Sequence, residues 1–312
     1  MNKMEKALVS VLMLMIVLWP LSGHGDKLRF GTLGVVQALP LYVAAEKGFF
    51  SNRGIEVELV NFNSAMEKDM ALTAGQISGY FGDLMTPMVL RANGIRVSLV
   101  ATVYNTTGSQ RMFAILSPPG GAQKTLAQVA KEGIAGSSNT IIEYIIARIL
   151  EGQKIPVDSL NMIEVKNIPI RLQILLTGQA SGVALPEPLV TLAEMKGARI
   201  LADDAGKGIS STILAFLDRT LKQSPNTVQS FLAGVSEAAA FITKHPEEVR
   251  PIMNRYCQVP EPLQQRFAIP QFPKPIVPSS THVMDVYQWL RQKGVVKTEM
   301  TYKQMVADGY LP

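Results

Sequence analysis

Three hydroxyls and an amide stand together at residues 136–140, Gly136-Ser137-Ser138-Asn139-Thr140, directly before the apolar run 141–150. A helix beginning there leaves the backbone N–H groups of its first turn unsatisfied and turns the positive end of its dipole toward them. Such an end suits an anionic head group, although the same residues are also what an ordinary helix N-cap requires. A second loop leading into a helix, Gly34-Val35-Val36-Gln37-Ala38-Leu39, is apolar except for Gln37, and Pro40 stands where a helix takes its first residue. If the two loops face each other, the pair holds a small organic molecule. Its apolar body lies against Gln37 and Pro40, and its polar or anionic head against Ser137, Ser138, Asn139 and Thr140.

Other polar groups stand at comparable positions. Tyr42 lies on the first helix, Ser64 and Asp83 precede helices, and Asn105 ends a β-type run; core packing, capping and a polar turn are their ordinary roles. Glu187, fixed between Pro186 and Pro188, favours a ligand with N–H donors such as an amino-bearing pyrimidine. Arg111 and Arg171 would instead pair bidentately with a sulfonate or carboxylate. These residues leave the charge of the ligand open.

Catalytic constellations are not found. His24, His245 and His282 belong to no set of cysteines, histidines and carboxylates with metal-ligand spacing, and Cys257 has no histidine near it in sequence. There is no G-x-S-x-G, S-x-x-K or phosphate-loop pattern. No catalytic residue, metal or cofactor is therefore expected. The net charge of +5 is spread along the chain rather than gathered in a block, which argues against nucleic acid as a partner.

Positioning these groups requires an alternation of strands and helices. Residues 27–62 read as one βαβ unit: a strand at 28–30, a helix from Pro40 to the stop at Gly48, and a strictly alternating strand at 55–59. Ser64 and Glu67 form a capping box for a helix with apolar positions Met66, Met70 and Leu72. Strands at 77–81, 97–103 and 111–116 and a helix around 86–91 follow. Ser117-Pro118-Pro119-Gly120-Gly121 then breaks the chain sharply. The pattern restarts with strands at 133–135, 160–165 and 183–185 and helices at 141–150 and 170–176. Ala74-Gly75-Gln76-Ile77-Ser78-Gly79 matches Thr177-Gly178-Gln179-Ala180-Ser181-Gly182 at a shift of 103 residues, so two lobes of similar local topology are expected.

A last β-type run at 211–217 precedes a long helix. Ser224-Pro225 opens it, and it stops at His245-Pro246. A proline-rich connection at 260–278, a helix from Ser280-Thr281 through Trp289, and a short closing helix complete the chain. At the other end, Lys3 and Lys6 precede the apolar run 7–19 and the small residues Gly23-His24-Gly25, the pattern of a secretory signal peptide. The run is shorter than the ~20 residues of a spanning helix. With Cys257 as its only cysteine, an exported chain forms no intramolecular disulfide.

Residues 40–55 (PLYVAAEKGFFSNRGI), 72–76, 135–140, 177–179, 186–188 and the late helix 225–246 together resemble the periplasmic solute-binding proteins of ATP-driven importers for sulfonates, nitrate and thiamine precursors. That group shares its family name with the thiamine-pyrimidine synthases. Where an aspartate usually follows the Gly-Gln pair, Ser78 and Ser181 stand instead. The resemblance implies an α/β, type II two-lobe fold with mixed, mostly parallel sheets flanked by helices and a ligand cleft between the lobes. It implies signal peptide 1–25, lobe 1 from 26–116 and 217–312, and lobe 2 from 117–216, with crossings around Ser117 and Ser211 and the late helices packed on lobe 1. The function it implies is that of a monomeric, extracytoplasmic component that binds a small sulfonate, carboxylate or pyrimidine-like solute and delivers it to a membrane permease with its ATPase. Two alternatives share the fold: an enzyme like the pyrimidine synthases, whose cysteine cluster and histidine have no counterpart here, and a ligand-sensing domain.

Overall fold

The computed structural model describes residues 27–106, 108 and 110–312; the signal peptide expected at 1–25 lies outside them. The first βαβ unit forms as β1 (Leu28–Leu33), α1 (Leu39–Glu46) and β2 (Val57–Phe62), followed by α2 (Ala65–Thr73), β3 (Gly79–Asp83), α3 (Met85–Ala92) and β4 (Val97–Tyr104). The second half contains β5 (Phe113–Ser117), α4 (Leu126–Glu132), β6 (Ile134–Gly136), α5 (Ile141–Gly152), β7 (Met162–Glu164), α6 (Ile168–Leu176), β8 (Gly182–Pro186), α7 (Leu189–Met195) and β9 (Arg199–Asp203). The chain closes with β10 (Thr212–Leu217), α8 (Asp218–Gln223), α9 (Pro225–Lys244), α10 (Pro246–Tyr256), α11 (Ser280–Gln292) and α12 (Tyr302–Met305).

Two five-stranded mixed sheets result, in the orders β2-β1-β3-β10-β4 and β7-β6-β8-β5-β9. In each, three parallel strands are joined by helical crossovers and one strand runs antiparallel between its neighbours. The chain therefore passes between sheets at 105–112 and 204–211. The first passage differs from the one expected around Ser117, because β5 pairs with β8 and β9 in the second sheet. The Pro-Gly break that suggested a crossing connects β5 to α4 instead. Likewise β10, placed by sequence at the end of lobe 2, pairs with β3 and β4 in the first sheet.

Asp204 ties the two passages together. Its fully buried carboxylate accepts from Met112 N at 2.8 Å and Phe113 N at 3.0 Å, and from the Ser210 hydroxyl. Burial raises this carboxyl above its ordinary range, and the bonds it accepts offset that only in part.

Core packing explains where the late helices sit. Phe231 of α9 lies 4.6 Å from Phe30 of β1 and stacks on Phe50 at 5.0 Å. A Cβ at Gly234 would come within 2.8 Å of the Phe50 ring, so a side chain there would push α9 away from the turn after α1. Pro246 does not end the helical region; it is the first residue of α10, where its missing N–H costs nothing. α9 and α10 pack on α1, while α11 and α12 pack on α3. α11 also reaches the second lobe: Trp289 packs edge-on against Tyr144 of α5, and Asp285 accepts from Tyr144 Oη at 2.7 Å and Arg148 Nη2 at 2.9 Å.

One helix turns a different face inward from the face its apolar residues suggest. Met66 and Met70 of α2 are 45% and 65% exposed, whereas Lys68, Ala71 and Leu72 are buried. Positions 68, 71 and 72 share one helical stripe, and a lysine holds its upper place.

Candidate functional site

The internal repeat becomes geometric at α2 and α6. Each runs nine residues, with a shift of 103 between them. Each is capped by a polar side chain: Ser64 Oγ accepts from Glu67 N, and Asn167 Oδ1 accepts from Ile170 N. Four residues after each cap, at the same shift, stands a fully buried cation: Lys68, 1% exposed, and Arg171, 2% exposed. The strands that follow keep the shift, Gly79 opening β3 and Gly182 opening β8.

Both cations line one cavity of about 80 Å³ between the two sheets. Leu33, Val35, Phe81, Phe113 and Ile168 give it apolar walls. Gln37 and Thr140, again 103 residues apart, line it from the two loops expected to oppose each other. Three polar atoms at its wall are buried without a hydrogen-bond partner among the described residues: Gln37 Oε1, Arg171 Nε and Thr212 Oγ1. An orphaned buried polar group costs roughly 1–3 kcal/mol.

The two cations differ in surroundings. Lys68 Nζ lies 2.8 Å from Asp69 Oδ1 and 3.6 Å from the centre of the Tyr80 ring. Burial raises the carboxyl of Asp69, partly offset by Lys68, and pushes the phenol of Tyr80 well up. Arg171 has no carboxylate within ion-pair distance among the described residues. Its Nη1 donates to Ala184 O at 3.0 Å, and burial lowers its pKa to about 10, slightly opposed by the more distant Glu164.

The first turn of α5 is not the open anion site that its sequence suggests, because the protein's own oxygens fill it. Ser138 N donates to Glu164 Oε2 at 3.0 Å, Asn139 N to Glu143 Oε2 at 2.8 Å, and Ile142 N to Thr140 Oγ1 at 3.3 Å. Ile141 N donates across the cleft to Asp83 Oδ2 at 3.3 Å. Asp83 Oδ1 meanwhile accepts from Met85 N and Thr86 N at 2.9 and 2.8 Å. One carboxylate thus caps a helix in each lobe.

Of the residues singled out by sequence, Gln37, Asp83, Ser137, Thr140 and Arg171 line the cavity. Ser138 and Asn139 lie outside it, in a groove of about 590 Å³ that Ser137 and Thr140 share. Pro40 is buried in α1. Tyr42 stacks on Tyr256 at 4.9 Å and donates to Leu33 O at 3.2 Å, a core position. Ser64 serves as the cap of α2, and Asn105 is at the first passage, its buried Oδ1 without a partner among the described residues. Glu187 Oε1 accepts from Arg111 Nε at 2.7 Å, and Glu187 Oε2 from Thr191; Arg111 also meets Glu194. The acid and the base that pulled the ligand's charge in opposite directions thus neutralise each other.

Lys68 escaped the sequence reading. Its signal is the spacing, since it stands 103 residues before Arg171 and four before Leu72 on the buried stripe.

A family described as NMT1/THI5 like matches residues 36–249 of the chain. No curated protein matches it in sequence. Among solved structures, it is similar to the alkanesulfonate-binding protein SsuA from Xanthomonas axonopodis pv. citri bound to MOPS, with a TM-score of 0.79, 16% identity, and coverage of 92% of this chain and 100% of that one. The periplasmic nitrate-binding protein NrtA from Synechocystis PCC 6803 matches with a TM-score of 0.69 and 15% identity over 89% of this chain and 84% of its own. DSZB in complex with biphenyl-2-sulfinic acid matches with a TM-score of 0.65 and 15% identity over 91% and 97%. The same two-sheet arrangement recurs in solved binding proteins, and the sequence match extends over most of both sheets: the chain belongs to the NMT1/THI5-like family and has the periplasmic binding protein fold.

Proposed function

We propose that the protein is the extracytoplasmic solute-binding component of an ABC importer, which holds a small organic solute between its lobes and hands it to a membrane permease. The observation that carries this reading is the cavity between the sheets, lined from both lobes by Gln37 and Thr140 and by the buried Lys68 and Arg171. An enclosed space between two lobes suits a solute that enters and leaves intact. The sulfonate- and nitrate-binding proteins of the same fold support this assignment. The two passages clasped by Asp204 supply a hinge on which the lobes can close around the solute.

The family name, shared with the thiamine-pyrimidine synthases, keeps an enzymatic reading in view. Against it stands the only cysteine, Cys257, which is fully buried, with burial pushing its thiol up; a nucleophilic thiol needs the opposite. Thermal unfolding across a panel of sulfonates, carboxylates, pyrimidines and nitrate tests the proposal. One class is expected to raise the melting temperature in a concentration-dependent way, by about 2.7 kcal/mol of stabilisation at a hundred times Kd. Turnover of a binding compound by the purified chain would overturn the non-enzymatic assignment.

A further inference from the structure

Helix α5 buries two faces in two different lobes. It is the crossover between β6 and β7 of the second sheet, and Ile142 and Ile146 lie over Gly136 of β6 so closely that a Cβ there would meet them at 3.2 and 3.4 Å. Its other face, Tyr144 and Ala147, is buried in the cluster that holds Val286, Trp289 and Leu290 of α11, a helix packed on α3 of the first lobe. A stripe of complementary chemistry runs along this contact. Asp285, Trp289 and the C-cap Lys293 share one side of α11. They meet α5 in reverse order: Asp285 against Arg148 and Tyr144, Trp289 against Tyr144, and Lys293 against Glu143. Both cations also lie over rings, Lys293 Nζ at 4.8 Å from the Trp289 centre and the Arg148 guanidinium at 5.0 Å from that of Tyr144.

One residue carries the contact on to the cavity. Glu143 accepts from Lys293 on Oε1 and from Asn139 N on Oε2, the latter at 2.8 Å. Asn139 holds a left-handed conformation, φ 59°, in the loop whose Ser137 and Thr140 line the cavity. Asp285, Trp289 and Lys293 stand outside that wall.

We infer that α11 is a latch on α5: from outside the cavity, Asp285 and Lys293 set how much of the protein keeps its lobes together, and Lys293 positions the loop 137–140 through Glu143. The lobes turn about the passages at 105–112 and 204–211. Neither passage includes α5 or α11, so parting the lobes carries one helix away from the other. The bonds between them are made by side-chain tips. Those of Asp285 and Lys293 are 51% and 36% exposed, and a hydrogen bond is lost once its atoms part beyond about 3.5 Å. A small rotation therefore releases them to water. The latch depends on the two lobes and not on the solute between them.

The test accordingly needs no solute. Spin labels on Met70→Cys in α2 and Ile170→Cys in α6, both exposed positions and one in each lobe, report the width of the cleft as a dipolar distance distribution in the full mature chain; Cys257 is fully buried and stays unlabelled. Asp285→Arg sets like charges against Arg148 and is expected to raise the ratio of wide to narrow separations at least about fivefold. Arg148→Asp alone acts in the same direction, and the two together restore the wild-type distribution, because the pair re-forms with its signs exchanged. Asp285→Asn, of the same size, shifts the ratio the same way by less and serves if charge reversal prevents folding, for which melting curves are the control. Lys293→Gln is expected to speed hydrogen exchange at the Asn139 amide. A distribution unchanged in both Asp285 variants would show that α5 and α11 move as one body, and would overturn the latch. A double variant as wide as the single ones would remove the Asp285–Arg148 pair as its cause, and unaltered exchange in Lys293→Gln would remove the positioning role. A chain that binds no member of the solute panel yet obeys these distances would lose the solute-binding reading and keep the latch.

Discussion

At the residue scale, the molecule carries an electrostatic cost at Arg171. Burial lowers Arg171 to about 10 from its ordinary value, a penalty on the charged form of about 3 kcal/mol at 1.36 kcal/mol per pH unit. The sign matters for binding. Below pH 10 the guanidinium stays protonated and available to an anion, and above it the ligand-free protein loses that proton. Affinity for a monoanion is therefore expected to be flat with respect to this group through neutral pH and to fall as pH rises through about 10, which calorimetry on wild type and Arg171→Gln would resolve. An identical decline in the variant would remove Arg171 as its cause. Sequence offered Arg171 only as one of two arginines suited to an acid. It could not separate them, because the partner that neutralises Arg111, Glu187, lies 76 residues away. Lys68 was harder still, since a lysine beside Met66 and Met70 reads as the wet side of an amphipathic helix until packing shows those methionines exposed.

At the scale of elements, the capping chemistry was legible and its suppliers were not. Ser64, Thr140 and the start of α5 stand where the residue types placed them. Yet the backbone donors of α5 are taken by Glu164, 26 residues away, and by Asp83, 58 residues away. No local pattern announces such partners. The short elements α4, α7 and β9 were missed as well, being five to seven residues each and too brief for periodicity to speak. Thr140→Ala and Asp83→Ala separate local from long-range support. Thr140→Ala is expected to cost about 1 kcal/mol, as the loss of one cap. Asp83→Ala removes caps from α3 and α5 together and is expected to cost about twice that, with denaturant unfolding as the measure. Equal losses would mean that the bond across the cleft adds nothing.

At the scale of the whole molecule, the repeat was visible as a shift of 103 residues, and the parallel strands keep it to within two residues while the inserted strands β5 and β10 do not. The first passage between lobes was not visible where it lies, because a strand that inserts antiparallel has the same composition as one that stays in its own sheet. The insertion of β10 between β3 and β4 bears on time as well as shape. Every strand of the second sheet comes from the unbroken stretch 113–203, so it can pair as soon as that stretch is made. The first sheet lacks an inner strand until residue 217 has been added, although its other four strands come earlier. The lobe begun first is therefore finished last. Pulse-labelled hydrogen exchange during refolding is expected to protect amides of β6 and β8 before those of β3 and β4. The reverse order would show that the four early strands hold together without their missing neighbour. For a chain that emerges from its N-terminal end, delayed completion of the first sheet leaves the edges of β3 and β4 open for the longest interval, making them the place where a helper protein or an aggregating neighbour would first take hold.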